Sequence, residues 1–123
     1  MKKLLLILLL LQVFNIKAES IDDYYYYQVD KMGAVDEKYS YVVYLKKGDP
    51  CIHVNNIKKN INKRFCETGN ENLNLYKNFP TIYATNFNLS SSRFYYTVAA
   101  PWAEQRCEIY LPKNRLTCEP TGK

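Results

Sequence analysis

Alternation of apolar and polar residues runs through most of the chain beyond its first twenty positions. In YSYVVYLKK, residues 39–47, one face of an extended chain collects Tyr39, Tyr41, Val43 and Leu45. The turn-forming residues Gly48, Asp49 and Pro50 follow, and the strand pattern resumes over 51–56. Period-two alternation on both sides of a turn predicts a β-hairpin.

The same signal predicts two further hairpins. A run of three serines separates the alternating stretches 81–89 and 93–100. Near the carboxyl terminus, PKN separates RCEIYL from RLTCE. A direct register there places Cys107 opposite Cys118, whereas a bulge at Asn114 would shift it, and the sequence leaves both registers open.

Four consecutive tyrosines raise the question of what places them side by side. The segment YYYYQV, residues 24–29, predicts a strand, because tyrosine and valine favour extended chain and adjacent aromatic rings crowd a helix. Strand alternation directs Tyr24 and Tyr26 to one face and Tyr25 and Tyr27 to the other. Tyrosine suits a half-wet face, since its ring can be buried while its hydroxyl stays hydrated.

Two segments carry other patterns. Ile57, Ile61 and Phe65 recur at a spacing of four within residues 55–67, which predicts a short helix with a narrow apolar stripe. Residues 73–79, LNLYKNF, are predicted to form a short strand that is ended by the following proline. Together the elements predict one mostly β domain of six or seven strands. We expect a small antiparallel sandwich or partly open barrel with one short helix and two disulfides.

The first eighteen residues have the pattern of a secretory signal peptide. Two lysines precede an unbroken apolar run over 4–11, and Ala18 offers a small residue for cleavage. The run is shorter than the roughly 20 residues that span a bilayer, which disfavours a membrane anchor. We therefore expect a leader over 1–18, a mature domain over 19–123 without a membrane-spanning segment, and a secreted or periplasmic location.

Four cysteines lie in the predicted mature domain, and an even count in an exported chain predicts disulfides. Three connectivities are possible. Proximity along the chain favours Cys51–Cys66 and Cys107–Cys118. A zinc site is disfavoured, because no C-x₂-C spacing occurs and His53 is the single histidine.

The charge of the chain gives no strong signal for nucleic acid. The formal net charge of +5 falls to +2 when the three lysines of the predicted leader are removed. The clustered cations fall in the predicted helix: Lys58, Lys59, Lys63 and Arg64. Residues 57–65 are therefore a candidate contact to an anionic surface.

His53 is the candidate for acid–base chemistry near neutral pH. A small secreted hydrolase or nuclease centred on it would use Glu67 or Glu71 as a partner, with Lys58 or Arg64 at a phosphate. The alternation of CIHVN instead favours an exposed strand histidine without a catalytic role. No cofactor and no metal are expected, since the chain has neither clustered glycines nor a metal-ligand spacing.

Tyrosine is the most distinctive component of the chain. Its 12 tyrosines exceed what a core of this size can bury, and tyrosine is enriched in protein interfaces. The candidate contact residues on the predicted strands are Tyr24, Tyr25, Tyr26, Tyr27, Tyr39, Tyr41 and Tyr44. We therefore expect a non-catalytic binding protein of the inhibitor, immunity or envelope-recognition type, with another protein or an envelope component as partner.

Overall fold

A computed structural model describes residues 23–31, 40–90 and 92–123 of the chain. The predicted leader over 1–18 and the candidate contact residue Tyr39 lie outside the described residues.

The described residues form eight β-strands, which are arranged in two four-stranded antiparallel sheets. The first sheet consists of β1 (Tyr24–Lys31), β2 (Ser40–Lys46), β3 (Asp49–Asn56) and β4 (Ile61–Phe65). The second consists of β5 (Tyr83–Ser90), β6 (Arg93–Ala99), β7 (Gln105–Tyr110) and β8 (Arg115–Pro120). Each sheet is a meander in chain order, so every strand pairs with its sequence neighbours. The predicted β class is confirmed, with eight strands rather than six or seven.

The core lies between the inner faces of the two sheets. Alternate residues of each strand contribute to it, as in β6, where Phe94, Tyr96 and Val98 are fully buried. Tyr26 links the sheets, because its ring packs 4.5 Å from Phe87 and 6.0 Å from Phe94 between centroids. Each fully buried apolar side chain contributes roughly 1.5–3 kcal/mol relative to exposure. Because this burial stabilises the folded state, the period-two pattern of apolar residues determines which face of each strand lies in the core.

Two disulfides fasten the last strand of each sheet to its neighbour. Cys51–Cys66 joins β3 to β4, and Cys107–Cys118 joins β7 to β8. Cys107 lies directly opposite Cys118, so the direct register is the observed one. The predicted pairing is confirmed, and each closed loop contributes about 3 kcal/mol in the chain-entropy model.

The helix predicted over residues 55–67 is wrong. Residues 57–60 form a turn in which Asn60 adopts a left-handed φ of 53°, and β4 then pairs antiparallel with β3. The spacing of Ile57, Ile61 and Phe65 does not mark a buried face, since both isoleucines are about half exposed and only Phe65 is buried. Three apolar residues at a spacing of four are therefore also compatible with a hairpin.

The strand predicted over 73–79 is also wrong. Its backbone forms turns, apart from an isolated bridge between Asn74 and Glu67. Side-chain amides hold these turns: the Oδ1 atom of Asn78 accepts the backbone N–H of Asn74, and the Oδ1 atom of Asn74 accepts that of Tyr76. Asparagine side chains compete in this way with the hydrogen bonds of a strand.

Helical structure is minor in the described part of the chain. A short 3₁₀ segment, Leu111–Lys113, leads into β8 through Asn114. Within the described ranges, no helix combines the length and the apolar character that a bilayer crossing requires.

Candidate binding surface on the first sheet

Four side chains, one from each strand of the first sheet, form a continuous row across it. Neighbouring strands pair these residues directly: Tyr27, Tyr44, His53 and Arg64. Paired residues of an antiparallel sheet share a face, and the adjacent Val43 and Val54 are buried in the core. The row therefore lies on the outer face of the sheet.

Aromatic contacts fix the arrangement of this outer face. Tyr24 packs edge-on against Tyr27 and Tyr44, with centroids 5.7 Å and 5.5 Å apart. The His53 ring stacks on Tyr44 at 4.9 Å, with 7° between the planes, and the Lys46 ammonium lies 5.8 Å from the centroid of Tyr24. Aromatic pairs of this kind contribute about 0.5–1.5 kcal/mol each beyond their buried area. Tyr24, Tyr27, Tyr44 and His53 are called the outer aromatic row below.

The carboxylate of Asp49 contacts two members of the four-residue row, His53 and Arg64. Its Oδ2 atom accepts hydrogen bonds from the Nε2 atom of His53 at 2.8 Å and the Nε atom of Arg64 at 3.0 Å. Its Oδ1 atom accepts hydrogen bonds from the Nη2 atom of Arg64 at 3.0 Å and the backbone N–H of Cys51 at 3.2 Å. The bidentate guanidinium contact joins the first residue of β3 to β4, so it supports the same hairpin as the Cys51–Cys66 disulfide.

The surroundings of Asp49 favour its ionised form. Partial burial acts to raise the pKa of this carboxyl, but the hydrogen bonds from Arg64, His53 and the Cys51 amide outweigh it and lower the pKa to about 2. The same contact with Asp49 raises the pKa of Arg64. Both groups are therefore charged at neutral pH, and the carboxylate is already occupied by neighbours within the chain.

A β-bulge breaks the predicted alternation of the tyrosines. The register between β1 and β2 shifts between Tyr24 and Tyr26. As a result Tyr24 lies beside Tyr27 on the outer face, whereas Tyr26 points into the core. The prediction that Tyr24 and Tyr26 share a face is wrong, because the extra residue of a bulge moves the residues before it to the opposite face of the sheet.

The candidate tyrosines occupy three different environments. Tyr27 is 50% exposed on the outer face and Tyr25 is 68% exposed at the end of the sandwich. Tyr41 is 2% exposed within the core, and Tyr26 is half-buried against it. Tyr41 therefore stabilises the fold and is excluded from the contact surface, as is most of Tyr26.

The candidate cations lie around one edge of the same sheet. Lys58 and Lys59 are exposed in the turn between β3 and β4, and Lys63 is exposed in β4 with its ammonium 6.0 Å from the Phe65 centroid. Arg64 differs from them, because it is engaged by Asp49 and also lies 5.2 Å from the ring of Tyr76. The basic cluster is thus a hairpin edge rather than a helix face.

The groups of the alternative catalytic site do not converge. The His53 side chain is 13% exposed rather than open to solvent, and it is held between Tyr44 and Asp49. Within the described residues, neither Glu67 nor Glu71 forms a hydrogen bond or ion pair with it. The same part of the chain contains no cluster of three potential metal ligands.

A cavity lies where the β2–β3 hairpin meets the segment that leads into β5. Three exposed aromatic side chains surround this cavity of about 410 Å³: Tyr25, Phe79 and Tyr83. Its floor includes Leu45 and Ala84, which belong to the core. Phe79 and Tyr83 were not predicted as site residues, since the pattern of their segment indicated strands and gave no sign of a shared cavity.

Comparisons with known proteins do not assign a function, so the assignment depends on the chain's own residues. No protein-family model matches the sequence, and neither a curated protein nor a solved structure gives a significant match. The outer aromatic row and the end cavity therefore have to be interpreted from their geometry and chemistry.

Proposed function

We propose that the chain is a secreted or periplasmic, non-catalytic binding protein of the inhibitor, immunity or envelope-recognition type. Its contact surface is the outer aromatic row, and its partner is another protein or an envelope component. The observation that carries the proposal is a set of packed rings on an exposed, disulfide-supported sheet face, with Tyr27 half exposed. Disulfides of this kind persist in oxidising compartments, which supports an exported location.

The rigidity of the row supports recognition. Each ring is held by its neighbours before any partner arrives: Tyr24 contacts two tyrosines, and His53 is fixed by Tyr44 and Asp49. Binding then orders few additional side chains, which lowers the entropic cost of association. Tyrosine also combines a large apolar ring with a hydroxyl for hydrogen bonding, which is the character of interface hot spots.

The arrangement of His53 supports binding over hydrolysis. A general base needs a nitrogen within reach of a substrate proton, and the Nε2 atom of His53 is directed at Asp49. One face of the ring is covered by Tyr44. These contacts are consistent with a structural role for the histidine in positioning the row.

The test is affinity capture of the partner from the native extract by oxidised protein, compared between variants. Truncation of the exposed Tyr27 ring and the partly buried Tyr44 ring, Tyr27→Ala with Tyr44→Ala, should abolish capture while far-UV circular dichroism stays unchanged. The matched control is Tyr95→Ala, which removes a tyrosine from β6 in the second sheet and should leave capture intact. Equal capture by the double variant and the native protein would overturn the proposed surface. A turnover that disappears in a folded His53→Ala variant would establish the hydrolase or nuclease alternative instead.

A second candidate function is adhesion to an anionic membrane through residues 57–65. Ile57 and Ile61 are about half exposed beside the exposed Lys58, Lys59 and Lys63. Exposed apolar side chains next to cations favour insertion at a negatively charged lipid surface. Co-sedimentation with anionic vesicles should then exceed that with neutral vesicles and weaken at high salt. Equal sedimentation with both lipids would exclude this function.

A further inference from the structure

We propose that the end cavity binds a small amphiphilic carboxylate, meaning an alkyl or aryl body that ends in a carboxylate group. The cavity lies between the β2–β3 hairpin and the segment 79–84. It is distinct from the outer aromatic row, so this inference does not depend on the proposed function.

The shape and lining of the cavity specify the body of the ligand. Its volume of about 410 Å³ falls within the range of small-molecule sites. The rings of Tyr25, Phe79 and Tyr83 form its walls, and Leu45 and Ala84 contribute to its floor. All three rings are substantially exposed without a ligand, so an apolar body that enters would remove their surfaces from water. A sugar fits this lining poorly, because its many hydroxyl groups would find few hydrogen-bonding partners.

The charges at the rim specify the head group. Two lysines, Lys46 and Lys47, line the cavity together with a single carboxylate, Asp49. Asp49 is already bound to Arg64 and His53, so its negative charge is compensated within the chain. The Lys46 ammonium lies over the rings of the outer aromatic row. Lys47 is exposed at the rim and is therefore assigned as the partner of the ligand carboxylate.

The position of Lys47 is fixed by the backbone. Its N–H donates a hydrogen bond of 3.0 Å to the carbonyl oxygen of Asp23, which connects the hairpin to the start of β1. The same connection places Tyr25 beside the hairpin turn at Gly48, so the cationic and the aromatic sides of the cavity are joined before a ligand binds.

A charge series with one constant apolar body tests the assignment. The probes are 4-phenylbutanoate, 4-phenylbutan-1-ol and 4-phenylbutylamine, titrated into the oxidised full chain and followed by NMR. The carboxylate should give saturable shifts at Tyr25, Phe79 and Tyr83, with a dissociation constant on the order of 1 mM for a ligand of this size. It should bind about two- to fivefold tighter than the alcohol, and the ammonium should bind most weakly, as expected for one exposed ion pair.

Variants separate the two parts of the site. Phe79→Ala should weaken all three probes by roughly five- to tenfold, because it removes one wall of the cavity. Lys47→Gln should reduce carboxylate binding to the level of the alcohol and leave alcohol binding unchanged. Trp102→Ala is the matched control, since Trp102 is exposed but lies outside the cavity, and its probe affinities should equal those of the native protein. If Phe79→Ala fails to fold, Tyr83→Leu replaces it.

Three results would overturn the proposal. The first is the absence of saturable shifts at the lining residues. The second is equal affinity for the ammonium and the carboxylate, and the third is an equal loss of binding in Trp102→Ala and Phe79→Ala. The two proposals can fail separately. None of these three results bears on partner capture through Tyr27 and Tyr44, and a failure of the capture experiment does not bear on the probe titrations.

Discussion

Replacement of Asp49 by asparagine removes one negative charge and keeps the size of the side chain. In the native protein this carboxylate receives Arg64, His53 and the Cys51 amide. Its pKa falls from 3.8 to about 2, which corresponds to an upper limit of roughly 2.5 kcal/mol. The side chains of Asp49 and Arg64 are 24% and 44% exposed, so solvent screening reduces this contribution. We expect Asp49→Asn to lower the free energy of unfolding by about 1–2 kcal/mol near neutral pH.

The pH dependence gives this prediction a definite sign. The pKa of Asp49 is lower in the folded state than in the unfolded chain, so ionisation favours folding. The stabilisation is complete above about pH 4, and it is lost as the pH falls through about 2. The difference in stability between the native protein and Asp49→Asn should therefore shrink over that interval.

The assay is urea unfolding of the oxidised proteins, followed by circular dichroism between neutral pH and about pH 2. Glu119→Gln is the control, because Glu119 is exposed on β8 and its replacement should change stability by less than about 0.5 kcal/mol. Arg64→Gln and the double variant with Asp49→Asn complete a double-mutant cycle, whose coupling energy isolates the ion pair. The reasoning is refuted if Asp49→Asn matches the native protein at neutral pH, or if the difference persists undiminished at about pH 2.

Three further variants test the core, a close backbone approach and the second disulfide. Tyr96→Phe should raise the free energy of unfolding by about 0.5–1 kcal/mol, because within the described residues the buried Tyr96 hydroxyl has no hydrogen-bonding partner. A lower free energy of unfolding in urea for this variant would contradict the prediction. Gly69→Ala should lower the free energy of unfolding by about 1–2 kcal/mol, since a Cβ atom there would lie 2.9 Å from the Oε1 atom of Gln105 and 3.0 Å from the Cβ atom of Cys118. An unchanged thermal midpoint would contradict this prediction and show that the loop relaxes. Joint replacement of Cys107 and Cys118 by alanine should lower stability by about 3 kcal/mol and expose β8 first in hydrogen exchange; uniform exchange across the sheet would argue against a local role for the bond.

The hairpins could be predicted because their information is local. Alternation with a period of two requires only neighbouring residues, and glycine, proline and asparagine mark the turns between them. The register at Cys107 and Cys118 was one of two options, and the cross-strand disulfide is compatible with the direct one. Local pattern therefore sufficed for the fold class and for the β2–β3, β5–β6 and β7–β8 hairpins.

The candidate site depends on information that is not local. Arg64 reaches Asp49 through the pairing of β3 with β4, fifteen positions along the chain, and the helical spacing of Ile57 and Ile61 concealed that pairing. The bulge at Tyr24 carries no glycine that would signal it. Phe79 and Tyr25 line the same cavity only because the turn before β5 and the start of β1, which are distant in sequence, lie close together in the fold. Such juxtapositions follow from tertiary packing, which overrides short-range periodicity.

The two sheets provide an internal comparison for the role of the aromatic surface. Both are four-stranded meanders, and in both a disulfide joins the third strand to the fourth. The second sheet nevertheless presents a polar row across its outer face: Thr85, Thr97, Arg106 and Glu119. Threonine and charged residues therefore form a complete row across the second sheet, so a row of packed rings is not a requirement of this architecture. The outer faces differ in how their rings are arranged: in the first sheet Tyr24 packs against Tyr27 and Tyr44, whereas in the second sheet Tyr110 lies between the guanidinium groups of Arg93 and Arg115. A partner that contacts the packed rings of the outer aromatic row, as proposed above, would account for this difference.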